Sequence, residues 1–206
     1  VLTLTDAEYF DDDIVRRLAA FLVEIYGSDR LEENLIFIAG GLSPSFRPET
    51  DDPRAVIRNY FLRDFFRDHC RQYSVNGSGR RPIYWLFDSG KENGFKALIY
   101  IHRYRADVFE LLRSKYLRRQ IQAYKDELAA LEVLAATENC RLKRSEYLRR
   151  QAKLQGQLAE CCSYAKKLKC QAQLRIDLDL DDGVLTNYQK LQTAADGQVL
   201  DLLAPL

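Results

Sequence analysis

Apolar residues recur along this chain at more than one period, and each period predicts a different element. From Ile14 to Tyr26 the positions Leu18, Phe21, Leu22 and Ile25 are spaced by three or four residues, which predicts a helix with those side chains on its core face. Asp13 stands where an N-cap accepts the first free amides, and Gly27 where a positive φ ends the helix. A short helix is predicted over 31–42. The stretch 43–53 reads as a loop, and its Asp52–Pro53 pair is a helix start, because proline has no amide to lose at the first helical position. The helix begun there is predicted to run to about Tyr73, with Ile57, Phe61, Phe65 and His69, flanked by Leu62 and Phe66, facing a core. His69 reads as a satisfied core or helix-end histidine rather than a base, since no nucleophile or carboxylate pair is placed beside it.

After the Asn76-Gly77-Ser78-Gly79 connection, the period changes to that of strands. Ile83 to Phe87 and Ala97 to Tyr104 are β-branched and aromatic runs separated by a Gly-, Asn- and Ser-rich turn, the pattern of an antiparallel pair. Arg80, Arg81, Arg103 and Arg105 flank this ribbon, which holds the only Trp; it is either a packing element or a surface that meets a polyanion. Two heptad seams follow. The first carries Leu117, Ile121, Tyr124, Leu128, Leu131 and Ala135; the second carries Tyr147, Gln151, Leu154, Leu158, Cys161, Ala165, Leu168 and Ala172. Two such seams separated by about ten residues predict an antiparallel helical hairpin turning within 136–145. The similar segments 114–120 and 145–151 meet their seams at different positions, so they read as chance likeness between basic helices. Finally, Leu174, Ile176, Leu178 and Leu180 alternate with Arg175, Asp177, Asp179 and Asp181, predicting a half-buried strand with an acidic outer face and no metal, closed by a turn at Asp182–Gly183.

The expected class is predominantly α with a small antiparallel β element (α+β). The expected divisions are a helical part over 1–79, the ribbon over 80–105, the hairpin over 106–173, and a strand or turn with a C-terminal helix or tail over 174–206. At 206 residues and a net charge of +1, the chain has no global attraction to polyanions, but its charge is uneven. Between Arg141 and Arg175 ten Lys or Arg stand against Glu146 and Glu160, a local surplus of eight. The five cysteines are odd in number and lack a paired Cys-x-x-Cys frame, so they read as buried thiols in a reducing compartment rather than as disulfides or a zinc site. Even Cys162, Cys170 and His69 lack ligand spacing. No apolar run is long enough to span a membrane and no signal peptide is visible, which makes a cytoplasmic location the default.

The segment Arg81-Pro82-Ile83-Tyr84-Trp85-Leu86-Phe87-Asp88-Ser89-Gly90-Lys91, with Ala97 to Tyr104, closely resembles the region that follows the catalytic domain in adenine-specific DNA methyltransferases of bacteriophage-exclusion (BREX) systems, the PglX type. The likeness extends to Asp12–Val15, Glu33–Ile38, Ile57–Asp64, Asp68–His69, Asp181–Val184 and Asn187–Tyr188, and so to most of the chain. The resemblance implies methyl transfer from S-adenosylmethionine to the exocyclic amine of adenine within a specific DNA sequence. Such enzymes hold the cofactor with a Gly-rich loop and the target amine with an Asn/Asp-Pro-Pro-aromatic motif. All five prolines here are isolated and no Gly-rich turn follows a hydrophobic strand; Asn187–Tyr188 is a poor substitute. The chain is therefore expected to be a C-terminal portion of such an enzyme, with no catalytic, cofactor or metal residues of its own.

Two roles follow. As a DNA target-recognition region, it would bind double-stranded DNA through Arg80, Arg81, Tyr84, Arg103, Arg105, Arg118, Arg119, Arg144, Arg149 and Arg150, since arginine neutralises phosphates and makes bidentate contacts to guanine. As a helical scaffold, it would dock the catalytic domain of the same protein or other BREX components, its basic face being a solvated helix surface.

Overall fold

A computed structural model describes residues 1–73 and 82–206. The chain divides into two compact units, one of 1–86 with 96–100 and Leu206, the other of 87–95 with 101–205. The architecture is mainly helical with a small sheet, as the residue pattern predicts.

In the first unit, α1 (Ile14–Tyr26) starts where Asp13 accepts hydrogen bonds from the Val15 and Arg16 amides, and it stops at Gly27, φ 84°. The buried positions are Ile14, Val15 and Leu22, while Phe21 and Ile25 remain exposed, which corrects the expected core face. Helix α2 (Leu31–Leu42) buries Leu35 and Ala39. The helix expected to run unbroken to Tyr73 is two, α3 (Pro53–Arg63) and α4 (Phe65–Gln72), interrupted at Asp64. At the break the Leu62 carbonyl accepts a hydrogen bond from Lys96 Nζ at 3.0 Å, a side-chain intrusion that no Gly or Pro announces in the sequence. The Asp13 carboxylate, with a fully buried side chain, also pairs with both terminal nitrogens of Arg58, which donates further to the Thr5 carbonyl.

The ribbon strands are β2 (Tyr84–Asp88) and β3 (Lys96–Tyr100). A two-residue strand, β1 (Leu2–Thr3), pairs antiparallel with β3, Leu2 opposite Leu98, so the sheet has three strands in the order β1-β3-β2. The second ribbon strand is shorter than expected, because Ile101–Arg103 forms a 3-10 turn rather than strand.

In the second unit, α5 (Val108–Leu111) passes through a π-helical segment, Leu112–Leu117, into α6 (Arg118–Thr137). The chain turns at 138–140, within the predicted window, and returns as α7 (Arg141–Leu174). The buried stripe of α7 is Leu154, Gln157, Cys161, Tyr164, Leu168 and Gln171. It shares Leu154, Cys161 and Leu168 with the expected seam but replaces Leu158, Ala165 and Ala172 by polar residues. Each of these finds a backbone carbonyl: Gln157 Nε2 donates to Asn93, Tyr164 Oη to Leu202 at 2.7 Å, and Gln171 Nε2 to Leu191 and Thr193 at 2.9 Å. These bonds satisfy the buried donors and reduce the cost of burying the three side chains, and the other heptad register is the one observed.

No strand forms over 174–181. Leu174 is the last residue of α7, Arg175 adopts a left-handed φ of 44°, and Leu180–Asp182 is a 3-10 turn capped by the Asp179 side chain. The alternation is present, but strand geometry needs a ladder partner, and here the Ile176 carbonyl is taken by the Tyr104 hydroxyl at 2.9 Å. The turn at Asp182–Gly183 leads into α8 (Val184–Gln192), after which Gln192 Oε1 accepts from the Leu202 and Leu203 amides. The chain end bridges to Phe87 through Leu203. Of the five cysteines only Cys70 and Cys161 are buried; Cys140 is exposed in the turn before α7, and Cys162 and Cys170 are exposed because the buried stripe of α7 turns them away from the core.

Candidate nucleic-acid interface

The loop joining β2 to β3, residues 89–95, is fixed from below by the hairpin. Glu160 of α7 accepts hydrogen bonds from Ser89 Oγ at 2.6 Å, the Glu92 amide at 2.8 Å and the Gly94 amide at 3.0 Å. Ser89 Oγ in turn accepts from the Phe95 amide, and Tyr124 of α6 donates its hydroxyl to the Gly94 carbonyl at 2.8 Å. A Cβ on Gly94 would lie 2.8 Å from both Cys161 Sγ and the Gln157 carbonyl, so only glycine lets the loop approach α7 this closely. The Asp88-Ser89-Gly90-Lys91 motif is thus a clamped turn with Lys91 and Glu92 exposed at its tip. The pattern of residues does not signal this clamp, since Glu160 is about seventy residues away along the chain and looks like one more solvated helix charge.

Among the sequence-predicted contacts in the second unit, Arg103, Arg105, Arg118, Arg119, Arg144 and Arg149 are exposed. Arg103, Arg144 and Arg149 carry no ion pair among the described residues, whereas Arg105 pairs with Asp107 at 3.1 Å, a surface contact worth little. Arg118 adds its charge to that of Arg113 in holding the Glu110 carboxyl below its usual range, where the Arg113 hydrogen bond is the larger cause. Arg150 is committed across the hairpin: its Nε and one terminal nitrogen grip Glu127 at 2.7 and 3.0 Å. That contact sets Arg144 near Val133, so Arg144 lies roughly 20 Å from Arg118 along the hairpin at about 1.5 Å per residue. The basic residues therefore form two groups along it.

In the first unit, Tyr84 is half-buried between His69 and Tyr100, ring centroids 5.3 and 5.7 Å away. His69 Nε2 accepts the Ile83 amide at 3.2 Å and burial lowers its pKa, so it is a satisfied structural histidine. Arg80 and Arg81, with the expected boundary at 76–79, lie outside the described residues. No helix among the described residues is long and apolar enough to cross a membrane. A cofactor of the S-adenosylmethionine type is held by a strand that ends in a Gly-rich turn at a helix N-terminus, and among the described residues the antiparallel strands end in no such turn.

No family model matches the chain. Over 203 residues, 97% of its length, it is 39% identical to an adenine-specific methyltransferase of Lacticaseibacillus casei (strain Zhang), named PglX. Over 196 residues, 92% of its length, it is 37% identical to one of Escherichia coli O9:H4 (strain HS), named BrxX. Identity at this level over nearly every element makes the chain a segment from the family of proteins named adenine-specific methyltransferases. Within them it belongs to the BREX type represented by PglX and BrxX, and it spans 16% and 15% of the lengths of these two curated relatives.

Proposed function

We propose that this segment is a non-catalytic DNA target-recognition part, C-terminal to the catalytic domain, of a site-specific adenine DNA methyltransferase in a BREX phage-defence system. The rest of such a protein supplies the S-adenosylmethionine site and transfers the methyl group, and this segment grips the duplex. The observation that carries the reading is the set of exposed arginines free of ion pairs among the described residues, Arg103, Arg144 and Arg149, in a relative of adenine-specific methyltransferases. Arg105, Arg118 and Arg119 add to this field, and Arg80, Arg81 and Tyr84 are proposed to contact DNA from the ribbon. Arg150 is proposed as a contact only where DNA phosphate displaces Glu127. The cytoplasm is the proposed location.

Duplex binding by the chain, followed by fluorescence anisotropy against salt, tests this. Affinity should fall steeply as salt rises, and reversing Arg144 and Arg149 to Glu should flatten the slope by about 0.9 for each phosphate no longer neutralised. No binding at low salt overturns it.

A second reading has its own observation: near the hairpin turn, Leu142 is 76% exposed and Val133 64%, an apolar tip suited to another protein such as a further BREX component. Loss of co-purification with such a component in the Leu142→Asp variant, with DNA binding intact, would favour it.

A further inference from the structure

Helix α2 is apolar on nearly every side from Leu35 to Leu42, yet it buries only Leu35 and Ala39. Its outer face, spaced i, i+3, i+4, is Phe37, Gly40 and Gly41. Phe37 is 82% exposed, the most exposed large apolar side chain among the described residues. A Cβ on either glycine would meet nothing within 4 Å. Glycine destabilises a helix relative to alanine, and no turn, positive φ or neighbour among the described residues requires it at these two positions. Helix α1, which packs against α2, leaves Phe21 and Ile25 more than half exposed, although their spacing with Leu18 is that of a core-facing row. Both helices thus carry core-like rows that no other described residue of this chain covers.

We propose that this α1–α2 surface is an intramolecular docking face, covered in the full-length methyltransferase by an apolar helical surface from the part of the polypeptide outside this segment. This rests on the function proposed above. The relative aligned to 97% of this chain devotes 16% of its length to that alignment, so most of such a polypeptide is available as the occupant. The two glycines let a partner helix come close, and Phe37 beside them is the anchor. A second copy fits less well: Glu24, beside Ile25, is exposed and self-pairing across this row would bring like charges together, whereas Glu33, one turn before Phe37, already pairs with Arg30 at 3.5 Å. The occupant is therefore expected to carry Lys or Arg opposite Glu24.

Hydroxyl-radical footprinting of the full-length enzyme, with mass-spectrometric readout, tests this. Oxidation of Phe21 should be several-fold slower in the native enzyme than in a full-length Phe37→Asp, Ile25→Asp variant, and Phe37 in the native enzyme should react several-fold more slowly than exposed Leu142, while buried Trp85 stays protected in both proteins and reports an intact fold. Equal reactivity of Phe21 in both proteins, or rapid oxidation of Phe37 in the native enzyme, overturns the proposal. Protection that vanishes on dilution to the monomer, judged by mass photometry, assigns the face to a second copy and also overturns it. DNA binding and methylation, measured in parallel on the native enzyme, report separately on the proposed function.

Discussion

Replacing Glu160 by alanine removes the acceptor that holds the 89–95 loop to α7. Its carboxylate takes three hydrogen bonds, from Ser89 Oγ, the Glu92 amide and the Gly94 amide. Bonds to an ionised acceptor contribute about 1.5–3 kcal/mol each, but Glu92 lies at the surface and water replaces its partner there. The buried Gly94 amide and the half-buried Ser89 hydroxyl carry most of the effect, so Glu160→Ala should cost about 2–4 kcal/mol of unfolding free energy. Glutamine keeps one oxygen for Ser89 and Gly94 and turns an amide donor towards the Glu92 N–H, so Glu160→Gln should cost about 1 kcal/mol. Urea unfolding gives the global effect, and amide hydrogen exchange at Gly94 gives the local one. Unchanged Gly94 exchange in Glu160→Ala, with a stability loss below about 0.5 kcal/mol, would show that the clamp does not hold the loop.

Three further outcomes are expected. Asp13→Ala leaves Arg58 without its buried carboxylate and α1 without its cap, a loss of about 3–5 kcal/mol by urea unfolding, whereas Asp13→Asn retains the cap and loses less. Gly156→Ala should be neutral or stabilise by up to about 1 kcal/mol, because the new methyl meets only the movable Glu92 carboxylate at 3.2 Å, while Gly94→Ala should destabilise by about 1–3 kcal/mol against the α7 backbone; thermal melts separate the two. His69 has a folded-state pKa below its unfolded value of 6.5, so the unfolded chain binds the proton more readily. Its contribution should be complete above about pH 6.5 and decline as pH falls from there towards the folded value; a His69→Gln variant with the same pH dependence of unfolding would refute this.

Local chemistry was legible wherever it acts over a few residues. The Asp13 cap, the Gly27 stop and the Pro53 start depend on neighbours within one helical turn, so residue type and spacing identify them. The hairpin was legible too, since a heptad repeat sustained over many turns has few other solutions. Family membership lay in the ribbon motif. The register of α7 was not legible: two stripes share Leu154, Cys161 and Leu168, and only the carbonyls of Asn93, Leu202 and Thr193, brought in from distant segments, favour Gln157, Tyr164 and Gln171. The break at Asp64 follows from Lys96 reaching Leu62, and the missing strand after Leu174 from the lack of a ladder partner. Spacing along one chain sets which faces an element offers; which face is buried, and which polar group is satisfied there, depends on what the fold carries up against it.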